Sequence, residues 1–154
     1  MSLNTQIIGK TMPHGFAGTY ARQPDMIVNT RFVGGTESIP FGTALKYDNG
    51  KVIVMGGAGT TAAQFAGIAG SEVKSALVYP DQNGGKYAPG EACSVFQRGS
   101  INVLCQRGTP ALGGDVYVRI AKTADYATAL VGGFEAEADE KTAGNSVKLT
   151  NCQW

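Results

Sequence analysis

The chain has 154 residues, a formal net charge of +1 and only 16% charged residues, with glycine at 22 positions. That length suits one domain with a moderate core; near-neutral charge with no run of Lys and Arg excludes an electrostatic nucleic-acid surface, and no apolar stretch approaches the roughly 20 residues that cross a bilayer. Glycine stands at about twice its usual share of roughly 7%, without a fixed period, which suits many tight turns between short strands.

Residues 1–25 read as an extended N-terminal arm. Thr5-Gln6-Ile7-Ile8 has the composition of a short strand. Pro13, Gly15, Gly18 and Pro24 then follow at a density that breaks helices and central strands. Phe16 and Tyr20 stand among them as isolated aromatics that need somewhere to bury. Two destinations are open, a neighbouring molecule or the chain's own domain. The concentration of regular core signal after residue 25 favours the neighbour.

Residues 26–154 read as a single β domain. Met26 to Val33 is a strand closed by Gly34-Gly35. The stretch Ile39 to Gly57 is the organising hairpin: two apolar arms flank Asn49-Gly50, a pair suited to a turn with positive φ at both central residues. Both arms are apolar at most positions, which implies burial on both faces or at a subunit contact. Gly56 to Gly59 reads as a flexible link. Thr60 to Ala69 could open with a short helix, although Gly67 and Gly70 argue for a strand leaving a loop. Val73 to Tyr79 is apolar-rich, and Asp81-Gln82-Asn83-Gly84-Gly85 is a turn. Ala92 to Phe96, Gln97-Arg98-Gly99-Ser100 and Ile101 to Cys105 repeat the pattern of strand, turn, strand. Asp115 to Ile120 enters another strand. Thr123 to Leu130 is the best short-helix candidate, with Thr123 as its cap, and a strand pairing with Phe134 to Ala138 competes with it. Glu135 to Glu140 is the only charge-dense stretch and reads as a solvated loop. Val147-Lys148-Leu149 alternates, and the terminal Trp154 needs burial, so the last strand is expected to return to a sheet.

The fold class expected is therefore all-β, with room for one short helix: a compact barrel-like or sandwich-like domain of hairpins. No reaction centre is legible. The one histidine, His14, sits in the arm; no nucleophile elbow occurs, and the loop Gly56-Gly57-Ala58-Gly59-Thr60-Thr61 lacks the lysine a phosphate loop needs. Cys93, Cys105 and Cys152 are odd in number and have no metal-type spacing. No secretory signal precedes Asn4, so the thiols fit a reducing cytoplasm, as small core residues. No cofactor, metal or enzymatic activity is expected.

Several segments together resemble the structural cement, or decoration, proteins of tailed-bacteriophage capsids. They are Pro13-His14-Gly15-Phe16-Ala17-Gly18, Ile39-Pro40-Phe41-Gly42-Thr43-Ala44, Tyr87 to Val95, Gly114-Asp115-Val116-Tyr117-Val118-Arg119 and Val147 to Trp154. The likeness covers most of the chain and is least marked between Ala121 and Glu140. It implies a small β-rich virion protein, made in the host cytoplasm and placed on the outer surface of the capsid as a trimer. There it would bridge major capsid proteins, with no catalytic residues, nucleic acid or membrane involved. The arm would reach over neighbouring capsomers, with Phe16 and Tyr20 as anchors and His14 and Arg22 as polar contacts. Two rival readings are a carbohydrate-binding β-sandwich on the virion, stacking sugars on Tyr47, Tyr79 or Tyr87, and an enzyme using Cys93 or Cys105.

Overall fold

A computed structural model of the chain describes residues 15–71, 84–139 and 144–154, apart from the side chains of residues 22–24. Its strands are β1 (Tyr20–Phe32), β2 (Ile39–Pro40), β3 (Ala44–Asp48), β4 (Lys51–Val54), β5 (Phe65–Gly70), β6 (Lys86–Tyr87), β7 (Ala92–Ile101), β8 (Cys105–Arg107), β9 (Asp115–Arg119), β10 (Phe134–Glu135) and β11 (Ser146–Gln153). One 3-10 turn, Ala62–Gln64, precedes β5. The fold is all-β, as its composition implies. The segment Thr5–Ile8, Val73 to Tyr79 and the start of the Asp81–Gly85 turn lie outside the described residues, as does Glu140.

The main sheet has the order β1-β7-β5-β3-β4, antiparallel throughout. A second sheet has the order β11-β9-β10-β8, and β2 pairs with β6. The organising hairpin forms as expected. Leu45 pairs with Val54 and Asp48 with Lys51, while Asn49 and Gly50 take φ of 48° and 77° in the turn. Its lack of polar alternation has a direct cause. Successive strand residues point to opposite faces, and both faces are covered near the hairpin base. Leu45 enters one core with Val33, Ile39, Val52, Tyr87, Cys93 and Val95; Ala44 enters another with Met55, Val116, Val118, Phe134 and Leu149. The main sheet is thus shared between two cores, under β2–β6 on one side and the second sheet on the other. A parallel bridge from Val33 to Val52 curls the sheet without closing it into a barrel.

Three sequence expectations are overturned. Gln97 to Ser100 is not a turn, because β7 runs unbroken from Ala92 to Ile101 between β1 and β5. Gly99 instead permits a close approach. Its φ is +111°, and a Cβ there would lie 2.6 Å from the Asp25 carbonyl oxygen of β1. Thr123 to Leu130 forms neither helix nor strand but consecutive turns, closed by Tyr126 N–H on Thr123 O and Ala129 N–H on Tyr126 O, each at 3.2 Å. Eight residues are too few to nucleate a helix without packing support, and here the packing opposes one. The Tyr126 hydroxyl donates to Gln106 O, and the Leu130 amide donates to Gln106 Oε1 at 2.9 Å.

Nor is Ile101 to Cys105 one strand, since β7 ends at Ile101 and β8 begins at Cys105. Two expectations do hold. The 3-10 turn and β5 divide Ala62–Gly70 between the two alternatives. Gly67 explains the strand's dependence on glycine, since a Cβ there would meet Phe96 O at 2.5 Å. The last strand returns to pair with β9, Val147 opposite Val118 and Leu149 opposite Val116, and Trp154 packs against the second core.

Candidate interaction surface

The chain enters β1 through a clamped turn. Gly18 N–H donates to Asn102 O at 2.8 Å, Asn102 N–H donates to Thr19 O at 2.8 Å, and Ser71 N–H donates to Gly18 O at 3.0 Å. The Thr19 amide and hydroxyl both donate to Phe16 O, at 3.0 and 2.7 Å. The Asn102 side-chain amide adds bonds to Thr19 O and Thr19 Oγ1 at 3.2 and 3.0 Å. Glycine at 18 and 42 lets two segments touch: a Cβ on Gly42 would lie 2.8 Å from the Ala17 Cβ, and one on Gly18 would lie 2.9 Å from the Phe41 Cβ.

On this mount Phe16 is 84% exposed. A large aromatic held in water on fixed backbone has already lost most of the entropy that ordering would cost on contact. The other predicted contacts are placed differently. The Tyr20 ring lies 5.5 Å from that of Phe96, half-buried on the domain itself. Arg22 lies within β1, its backbone opposite Ser100, and its side chain is outside the described residues, as is His14. β1 begins at Tyr20, so the last six residues of the segment 1–25 are strand. Further exposed apolar side chains are Ile27 and Phe32 on β1, Leu104, Leu112 and Leu130.

The charge-dense stretch behaves contrary to expectation. It is not a solvated loop: Glu135 is fully buried and Asp139 nearly so. Both face Arg119, itself fully buried. Arg119 Nε and Nη2 donate to the two oxygens of Glu135 at 2.5 and 3.1 Å, and Nη1 donates to Asp139 Oδ2 at 2.9 Å. Arg107 extends the network to Glu137 at 3.0 Å and Asp139 at 3.5 Å. Tyr126 lies under the Arg119 guanidinium at 5.3 Å, a cation–π distance. Hydrogen bonds to Glu135, and secondly to Asp139, hold the Arg119 guanidinium above its ordinary value against the opposing effect of burial. The carboxylate oxygens are thus directed at guanidinium groups, so the cluster joins β9, β10 and the following loop. An open depression of about 330 Å³ beside it is lined by Gln106, Arg107, Thr123, Asp125, Tyr126 and Asp139.

Of the residues invoked by the rival readings, Tyr87 and Cys93 are fully buried, whereas Tyr47 is 47% exposed. Tyr87 is fully buried and bonds Gly70 O, so it offers no face to a sugar; Tyr79 is outside the described residues, and Tyr47 accepts a hydrogen bond from Gln97 at 2.8 Å. All three cysteines are free thiols. Burial pushes the Cys93 thiol up to about 12, the reverse of what a nucleophile needs. Lys46, brought by folding to the glycine loop, donates to Gly56 O at 2.6 Å and Thr60 Oγ1 at 3.2 Å and so ties that loop to β3.

Sequence reasoning singled out Phe16 as a contact candidate but not the bonds that fix its turn. Asn102, Ser71 and Gly42 lie far from it in sequence, and nothing local marks them. No curated protein matches the chain. A family model described as structural cement protein (E217 gp24/Pam3 gp6) matches residues 3–154, nearly the whole length.

Proposed function

The chain belongs to the phage structural cement protein family, a family of virion structural proteins, and on that premise we propose that it clamps the outer face of the capsid. In this reading it bridges neighbouring major capsid proteins, copies associate as trimers, and the arm, shortened to the residues before β1, reaches across to an adjacent capsomer. The carrying observation is Phe16, 84% exposed on a turn fixed by Asn102, Thr19 and Ser71 at the base of that arm. Exposed aromatic anchors on rigid backbone are what interface centres use. The low charge, 16% of residues, suits a surface covered by protein. Individually weak contacts repeated by symmetry would hold the shell through avidity.

The test mixes the purified chain with empty shells of its own phage and follows co-sedimentation and shell melting. Bound protein is expected to raise the temperature at which shells disassemble. Shells that neither retain the protein nor gain heat resistance would end this reading.

A further inference from the structure

Asn29, Gln97 and Tyr47 form a row across the main sheet that belongs to neither core. Tyr47 pairs with Val52 and follows Leu45 by two residues, so it lies on the face of the first core, at that core's margin. Gln97 stands at a bulge. Ile27 of β1 pairs with Arg98 and Val28 with Phe96, which leaves Gln97 unmatched. A bulge re-aims a side chain out of the regular pleat, and here the re-aimed amide reaches three other strands. Gln97 Nε2 donates to the Tyr47 hydroxyl of β3 at 2.8 Å and to Ala66 O of β5 at 3.3 Å, while Gln97 Oε1 accepts from Asn29 Nδ2 of β1 at 2.5 Å. Burial does not demand these bonds, since Gln97 and Tyr47 are exposed and Asn29 is half-buried. A bond that only replaces water adds modestly to stability. The Gln97 amide is fully engaged, whereas Asn29 keeps its carbonyl oxygen and second amide hydrogen, and Tyr47 keeps its hydroxyl hydrogen and a ring face in water. Among the described residues nothing meets these remaining groups.

We propose that this row binds a neutral hexopyranose, with the Asn29 amide on two adjacent hydroxyls, the Tyr47 O–H on a sugar oxygen and the Tyr47 ring against the sugar's C–H face. The chemistry of the free groups selects this ligand. All of them are neutral, and the cations nearby are engaged: Lys46 with Gly56 O and Thr60 Oγ1, Arg98 with Asp25, and Arg31 Nη1 with Thr30 O. A carboxylate, a phosphate or a metal ion would find no opposite charge to meet it. Adjacent sugar hydroxyls each donate and accept, which matches the donor and acceptor of one planar amide. A phenol ring with an apolar face and a wet hydroxyl suits a ligand that is apolar on one side and polar at its rim. A peptide of the capsid would instead be drawn to backbone groups at a sheet edge, whereas this row crosses the sheet's face. Because the side chains already hold one another in place, little ordering entropy remains for the ligand to offset. The site shares no residue with the Phe16 turn and stands independently of the capsid reading.

The test is saturation-transfer NMR on the full chain, with the methyl glycosides of glucose, galactose, mannose and N-acetylglucosamine as probes. At least one is expected to take up saturation through its ring C–H groups, with a dissociation constant on the order of 1 mM. Tyr47→Ala should weaken that binding by about tenfold or more. Tyr47→Phe keeps the ring and loses only the hydroxyl, and Asn29→Ala loses the amide; each should weaken binding about two- to tenfold. Failure of all four probes to bind overturns the inference, and so does binding that Tyr47→Ala leaves unchanged. If circular dichroism shows Tyr47→Ala misfolded, Tyr47→Phe and Asn29→Ala carry the comparison, and parental binding in both overturns it. A Tyr47→Ala chain that loses shell co-sedimentation, in a protein that binds none of the probes, would assign the row to a capsid contact and also overturn it.

Discussion

Replacing Phe16 by alanine separates adhesion from folding. Phe16 is 84% exposed, so at most about one sixth of its surface supports the fold. Fully burying a phenylalanine side chain contributes about 1.5–3 kcal/mol, so the share still in water corresponds to about 1.3–2.5 kcal/mol available to a partner. Phe16→Ala should weaken shell binding about 10- to 70-fold. The same bookkeeping leaves about 0.2–0.5 kcal/mol for the fold, a melting shift of no more than about 2 °C in a chain of this length. Tyr20→Ala is the control. Its half-buried ring against Phe96 makes it a stability variant, losing about 1–2 kcal/mol. The assays are shell co-sedimentation over a concentration series and a thermal melt of the free protein. A Phe16→Ala chain that binds shells within twofold of the parent, with its melt unchanged, would refute the anchor argument.

Three further outcomes are expected. Arg119→Ala leaves Glu135 in the protein interior without its guanidinium and takes from Asp139 one of its two, and should cost about 3–5 kcal/mol, read as a melting point lower by roughly 10 °C; an unshifted melt would mean that water already reaches the cluster. Cys93 should resist thiol reagents in the folded protein at pH 8. Its folded value is raised from 9.0 to about 12, so its contribution to stability is complete below pH 9 and is lost as pH rises toward 12. Cys93→Ala should flatten that alkaline decline, and an identical decline in both proteins would assign it to other groups. Gly67→Ala places a Cβ 2.5 Å from Phe96 O at a φ of +143°, and strain alone should lower unfolding free energy by about 1–3 kcal/mol in denaturant titration; a neutral result would show that β5 can shift away from β7.

Where structure follows from local pattern, it was legible in the chain itself. Asn49-Gly50 between apolar arms requires a hairpin, because few other pairs accept positive φ at both turn positions. The alternation at Val147 to Leu149 likewise marks a half-buried strand. The glycine excess and the successive hairpin signals pointed to the all-β class, and the order of several weak segments pointed to the family. What failed depended on distant partners. Gly99 looks like a turn residue because glycine is equally at home in turns and in crowded strands, and only the presence of Asp25 O distinguishes the two. Glu135 and Asp139 look solvated because charged residues are buried only when paired, and their partner Arg119 lies 16 and 20 residues away. The clamp under Phe16 is made by Asn102, more than 80 residues on, and β1 pairs with β7 rather than with a hairpin neighbour. Local preferences act over a few residues, whereas burial and strand order are decided by which distant segments exclude water from one another, and that was decided by the tertiary fold.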